Sequence, residues 1–111
     1  MDDQYAEAFD LISKAGDARS SSMLALQASR EGDAERAEEH LEGARRSLLA
    51  AHGVQTALVQ REAQGDSVPV NVILIHAQDH LMNAMVVADL AAELIAVHRM
   101  IERSGAKETR A

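Results

Sequence analysis

The chain has 111 residues; 47% are hydrophobic but only 2% aromatic, with one Tyr, one Phe, no Trp, no Cys and one proline. A chain of this length makes one domain that buries roughly two-thirds of its unfolded surface, enough for one core but not for a cofactor-sized cavity inside one subunit. A balance of 18 acidic against 11 basic residues, net −7, argues against a nucleic-acid partner and permits docking on a basic protein, while the missing Cys excludes disulfides, thiol chemistry and Cys-based zinc sites.

The stretch Met1 to Asp10 holds Asp2, Asp3, Glu7 and Asp10 and no basic residue, so it does not read as a signal peptide, and the expected compartment is the cytoplasm. Ala, Leu, Glu, Arg, Gln and Met dominate the rest of the chain, and no series of alternating strands with turn signals appears, so the elements are helices. Two breaker clusters interrupt them. Arg30-Glu31-Gly32-Asp33 supplies a glycine and then a helix-capping aspartate. Gln64-Gly65-Asp66-Ser67-Val68-Pro69 supplies a glycine, two capping residues and the proline. The three segments between them are each about 30 residues, long enough for a helix of roughly 40 Å. Helices this long in so small a domain lie side by side, and short connections make neighbours antiparallel. The fold class expected is all-α, an up-down-up three-helix bundle with helices over 3–29, 34–63 and 70–104 in a single domain, 1–111.

The first helix carries an expected inward stripe of Phe9, Ile12, Met23 and Leu26, with Gly16 and Ser20-Ser21-Ser22 thinning its middle. The second carries Ala34, Ala37, Leu41, Ala44, Leu48, Ala51, Gln55 and Leu58 inward, and a solvated face of Glu35, Glu38, Glu39, Glu42, Arg45 and Arg46. His52 is expected in the core of that helix, or supporting a polar cluster on the third; His40 is expected at the surface and His98 partly exposed. The tail Ser104 to Ala111 is polar and expected to fray.

The third helix is the informative one. Between Ser67 and Ala88 the only formally charged residue is Asp79, a stretch long enough to span a membrane; yet His76, Gln78, Asp79, His80 and Asn83 lie inside it, which a lone span tolerates poorly. At about 100° per residue, Val72, Val87, Leu90, Leu94, Val97 and Ile101 share one stripe with His76, Asp79, His80 and Asn83. Leu74, Ile75, Leu81, Met82, Met85 and Val86 surround the other sides. A helix apolar nearly all round is buried all round, which a three-helix bundle cannot do for one of its members, so an oligomer with this helix near the symmetry axis is expected. Three roles for His76-Ala77-Gln78-Asp79-His80 stay open on pattern alone. A buried polar patch fixes oligomer register. An H-x-x-D-H run approaches an inverted zinc-peptidase motif, but no downstream carboxylate ligand is evident. A neutral imidazole attacks phosphorus to give phosphohistidine.

Ala15-Gly16-Asp17-Ala18-Arg19-Ser20, Gly32-Asp33, Ala51-His52 with Gln55-Thr56, and His76-Ala77-Gln78-Asp79-His80-Leu81-Met82 occur in this order. This resembles the lactose/cellobiose (diacetylchitobiose) type IIA component of the bacterial phosphoenolpyruvate-dependent sugar phosphotransferase system, over nearly the whole chain. The resemblance implies a homotrimer of nine helices in which His76 accepts phosphate from the phosphohistidine of HPr and passes it to a cysteine of the IIB component. It further implies that Asp79 is a metal-ligand position, one from each of three subunits around a single Mg²⁺ on the threefold axis, and that the membrane is reached only through the IIC component. The cargo implied is a β-linked disaccharide such as lactose, cellobiose or diacetylchitobiose. His80 and the amide of Gln78 are candidates to offset the phosphoryl charge that Asp79 repels, His80 being otherwise structural. The rival functions are a non-catalytic helical adaptor and a metal-dependent hydrolase.

Overall fold

The computed structural model describes the backbone of residues 3–110 and the side chains of residues 5–105. Three helices, α1 (Asp3–Arg30), α2 (Ala34–Ala63) and α3 (Val72–Arg110), succeed one another with no strand among the described residues. The particle measures 66 × 26 × 19 Å with a radius of gyration of 18.1 Å. A rounded domain of this size has a radius of about 13 Å; the elongation comes from α3, whose 39 residues run close to 60 Å at about 1.5 Å per residue.

Both connections are built by local chemistry; the first matches the sequence reading, whereas in the second the expected capping residues do not cap α3, Asp66 accepting instead from Arg61 and Asn71 taking the cap position. Gly32 sits at φ +80°, its N–H bonds back to Ser29 O at 3.1 Å, and the Asp33 N–H reaches Ala28 O at 2.9 Å. This pair of bonds closes the end of α1 around a left-handed residue that glycine adopts without a Cβ penalty. Asp33 then caps α2, its carboxylate accepting from the Arg36 N–H at 3.1 Å. Gly65, at φ +88°, repeats the device, with Gly65 N to Glu62 O at 3.1 Å and Asp66 N to Arg61 O at 3.0 Å. The third helix begins two residues later than the expected position 70. Asn71 caps it, its side-chain oxygen accepting from the Leu74 N–H at 2.8 Å, and Pro69 holds the preceding chain extended. The same helix continues to Arg110, past the expected end at 104 and through the polar tail expected to fray.

Helix α1 is the middle of the bundle: it packs along both α2 and α3, which touch one another far less. Its inward face is not the expected one. Ala8, Leu11, Ala15, Ala18, Ser22, Ala25, Ala28 and Ser29 are buried, whereas Phe9 and Met23 are exposed and Ile12 and Leu26 only partly covered. A helix that must approach two neighbours closely presents small residues to both, and its large apolar residues are displaced to the flanks. Ser22 is accommodated because its hydroxyl donates to Ala18 O at 2.8 Å. Helix α2 largely matches expectation, burying Ala37, Leu41, Ala44, Ala51 and Leu58, with Ala34 exposed.

On α3 the buried stripe is Ala77, Leu81, Ala84, Ala88, Ala91 and Ile95. It lies about a third of a turn from the stripe of larger apolar residues. That second stripe faces outward, with Val72 81%, Leu90 56% and Ile101 64% exposed. By length and composition the segment Val72–Gly105 would suffice to cross a membrane, and its most apolar window is only 28% buried inside the subunit.

Candidate functional site

The polar cluster lies on the second and third turns of α3, positioned by the Asn71 cap before it and the Ala77–Leu81–Ala84 packing against α1 beside it. His76 is exposed and His80 half-buried. Their four-residue spacing stacks them on one face, with the two Nε2 atoms 3.0 Å apart. The rings meet edge to face, with centroids 4.4 Å apart and planes at 88°. A contact of this kind needs one N–H and one lone pair, so it couples the tautomers of the two imidazoles.

Asp79 and Asn83 project from the same outward stripe and are exposed. The Asp79 carboxylate makes no ion pair or hydrogen bond to another described residue. No group of three or more His, Cys, Asp or Glu able to hold a metal occurs among the described residues. One subunit therefore offers a single hard carboxylate, a donor suited to Mg²⁺ but insufficient alone.

Gln78 is not brought to His76. Its side-chain oxygen accepts from Gln55 Nε2 at 2.6 Å, and Gln55 also lies 3.8 Å from the Met82 sulfur. The Gln55–Gln78 bond ties α2 to α3, where the two helices otherwise meet little. His52, expected in the core or under the cluster, is exposed and lines a shallow groove with Leu48, Leu49, Met85 and Asp89. It is Gln55, three residues on, that reaches the cluster. His98 pairs through Nδ1 with the Ser29 hydroxyl at 2.8 Å, far from His76 along α3.

Beside the histidine pair runs an open groove of about 640 Å³ whose α1 wall includes Gly16, Arg19, Ser20 and Met23 and whose α3 contribution is His80. Sequence patterning does not single out Arg19 in this role: nothing in a helical wheel of α1 tells which residue faces a particular turn of α3.

The comparisons with known proteins agree on one family. The family model described as "PTS system, Lactose/Cellobiose specific IIA subunit" matches residues 6–99. The lichenan-specific phosphotransferase enzyme IIA component of Bacillus subtilis (strain 168) is 46% identical over 99 residues, covering 88% of this chain and 90% of that protein. Among solved structures, the PTS cellobiose-specific enzyme IIA from Bacillus anthracis superimposes with a TM-score of 0.90 at 43% identity, covering 93% and 94% of the two chains. The solution structures of the IIA(Chitobiose)–HPr complex of the N,N'-diacetylchitobiose branch of the Escherichia coli phosphotransferase system give a TM-score of 0.79 at 33% identity, covering 92% and 99%.

Proposed function

The chain belongs to the lactose/cellobiose-specific IIA subunits of the sugar phosphotransferase system, a phosphotransferase component, and we propose that it carries the phosphoryl group on His76. The group comes from the phosphohistidine of HPr and goes to a cysteine of the IIB component. The observation that carries this reading is the exposed His76 imidazole with the Nε2 of His80 at 3.0 Å.

With His80 donating its Nε2–H, His76 keeps a proton on Nδ1 and a lone pair on Nε2. That lone pair attacks phosphorus while the N–P bond to the donor breaks, its electron pair returning to the donor ring. The transition state is loose, so the protein's task is positioning and charge stabilisation. The His80 N–H leaves His76 Nε2 as the donor docks and turns to a phosphoryl oxygen, because the single in-plane lone pair of Nε2 cannot accept a hydrogen bond and bond phosphorus at once. The return step is the same in reverse: a thiolate attacks phosphorus and the electron pair of the N–P bond goes back to His76. The thiol belongs to the partner, in keeping with a chain that has no Cys. Gln78, engaged with Gln55, supports the frame rather than the phosphoryl group.

The outward stripe of α3 supports a homotrimer of nine helices in which Val72, Leu90, Leu94, Val97 and Ile101 line a shared core. On such an axis three Asp79 carboxylates converge and repel. Those three side chains would hold one Mg²⁺ per trimer, which would supply the charge that offsets the repulsion. The cargo supported by the relatives is a β-linked oligosaccharide of the cellobiose, chitobiose or lichenan kind. The component works in the cytoplasm and meets the membrane only through IIC.

Incubation with phosphoenolpyruvate, enzyme I and HPr tests the reading by intact mass. The wild type gains one phosphoryl group, the H76A protein gains none, and H80A gains it about tenfold more slowly, the cost of one hydrogen bond to a charged group at an exposed site. Acid-labile phosphate on H76A removes His76 from the role, and a wild type that gains no mass is a helical adaptor.

A further inference from the structure

The outward face of α3 is polar at one end and apolar along the rest. Asp79, Asn83, Val86, Leu90, Leu94 and Val97 follow one another at steps of three or four residues, so they share one side of the helix, and all are exposed in the subunit. The later members are large and apolar; the first two are polar and one turn apart. A homotrimer with this stripe at its axis takes both out of water. Repulsion among the Asp79 carboxylates is one consequence. Asn83 is a second, and neither the carrier chemistry nor a cation accounts for it.

Asn83 makes no hydrogen bond to another described residue. The polar side chains nearest to it along α3 are engaged elsewhere: Gln78 accepts from Gln55 on the α2 side, and His80 Nε2 meets His76 Nε2. A carboxamide buried without a partner is costly. Helical side chains lean toward the helix N-terminus, so the Asn83 amide reaches back over the turn that carries Asp79, away from Val86. In parallel helices packed knobs into holes, a residue of one layer sits against the preceding layer of the neighbouring helix. The step from 79 to 83 is one such layer. Asp79 likewise has no hydrogen bond or ion pair in its own subunit, so both the donor and the acceptor are free for a contact between copies.

We propose that Asn83 is a positioning residue of the threefold axis: its carboxamide N–H donates to the Asp79 carboxylate of the adjacent copy. The bond gives the covered amide an acceptor, and because that acceptor is ionised it is a charge-assisted bond. It also fixes the direction in which each carboxylate faces the axis. Carboxylates that hold a cation are commonly oriented by a further group in this way, and loss of that group costs about 10–100-fold in metal affinity. The proposal rests on the trimer reading with Asp79 at the axis.

The experiment uses the full chain, with Mn²⁺ as the probe read by electron paramagnetic resonance and sedimentation to count subunits. Wild type, N83L, D79L and D79L/N83L are compared, and N83A, which adds no bulk at the axis, stands beside N83L. Expected are N83L and N83A trimers that bind Mn²⁺ about tenfold more weakly than wild type. In EDTA the melting temperatures should be non-additive: N83L raises the melting temperature by roughly a few degrees more in the D79L background than in the wild type, because only there does it remove an amide that has lost its acceptor. Trimeric N83L and N83A proteins with wild-type Mn²⁺ affinity, or additive melting shifts, overturn the proposal and leave Asp79 at the axis. Loss of the trimer in both variants overturns it in favour of a polar layer that only holds the assembly together. A trimeric wild type that binds no Mn²⁺ overturns the cation reading, and the melting cycle alone then decides the Asn83–Asp79 bond. A monomeric wild type overturns the trimer reading and the proposal together.

Discussion

Helix α3 has two long apolar faces, and they are built from different residues. The face turned into the subunit is Ala77, Leu81, Ala84, Ala88, Ala91 and Ile95, mostly alanine and buried. The face turned away, with Val72, Leu90, Leu94, Val97 and Ile101, is larger, more apolar and about half or more exposed. Small residues let α1 and α3 approach closely and close the subunit; the bulk of the hydrophobic surface is left outside it. The difference teaches that the size of an apolar residue and its burial in the subunit are decoupled here. His76 and Asp79 stand on the outward face, so the proposed phosphoryl site borders the proposed assembly surface.

The sharpest way to break this contrast is to charge the outward face. Replacing Leu90 and Leu94 by Glu is expected to convert the proposed trimer wholly to monomers in sedimentation while the helical signal persists; a wild type already monomeric would remove the distinction between the faces. A smaller effect is expected from overfilling the inward face. Ala84→Leu forces extra methyl groups into a packed alanine stripe and should cost about 1–3 kcal/mol in denaturant unfolding, leaving subunit number unchanged. An Ala84→Leu protein as stable as wild type would mean that the α1–α3 seam is loose. The smallest effect is expected where the outward face is polar. Asp79→Leu should keep the trimer, match or exceed wild-type stability, and lose the Mg²⁺ dependence of the melting temperature, a shift on the order of a few degrees. Monomers from this variant would contradict the proposed electrostatic role of Asp79.

How much of this molecule is legible in its sequence depends on how local the cause is. The turn at Gly32–Asp33 and the break at Gly65 are legible because left-handed glycines and the Asp33 cap act within a few residues; the cap of α3 at Asn71, in place of Asp66 or Ser67, is not. The stripe of α2 is legible because one neighbour covers it and charge marks the opposite side. The inward face of α1 is not: hydrophobicity points to Phe9 and Met23, whereas two-sided close packing selects Ala8, Ala15, Ala18 and Ala25. On α3 hydrophobicity marks the stripe of large residues, but periodicity carries no label saying which neighbour is to cover it. Within the site, the His76–His80 pair is a matter of spacing along one helix. The Gln55–Gln78 bond depends on how α2 registers against α3, and no single-helix pattern encodes that.

The central position of α1 has a consequence for how the site is held. Because α2 and α3 touch so little, the placement of α2 against α3 is transmitted through α1, and Gln55 is the α2 residue that reaches the polar cluster directly, through Gln78. The polar cluster and the outward apolar face thus take their position chiefly from the seam between α1 and α3.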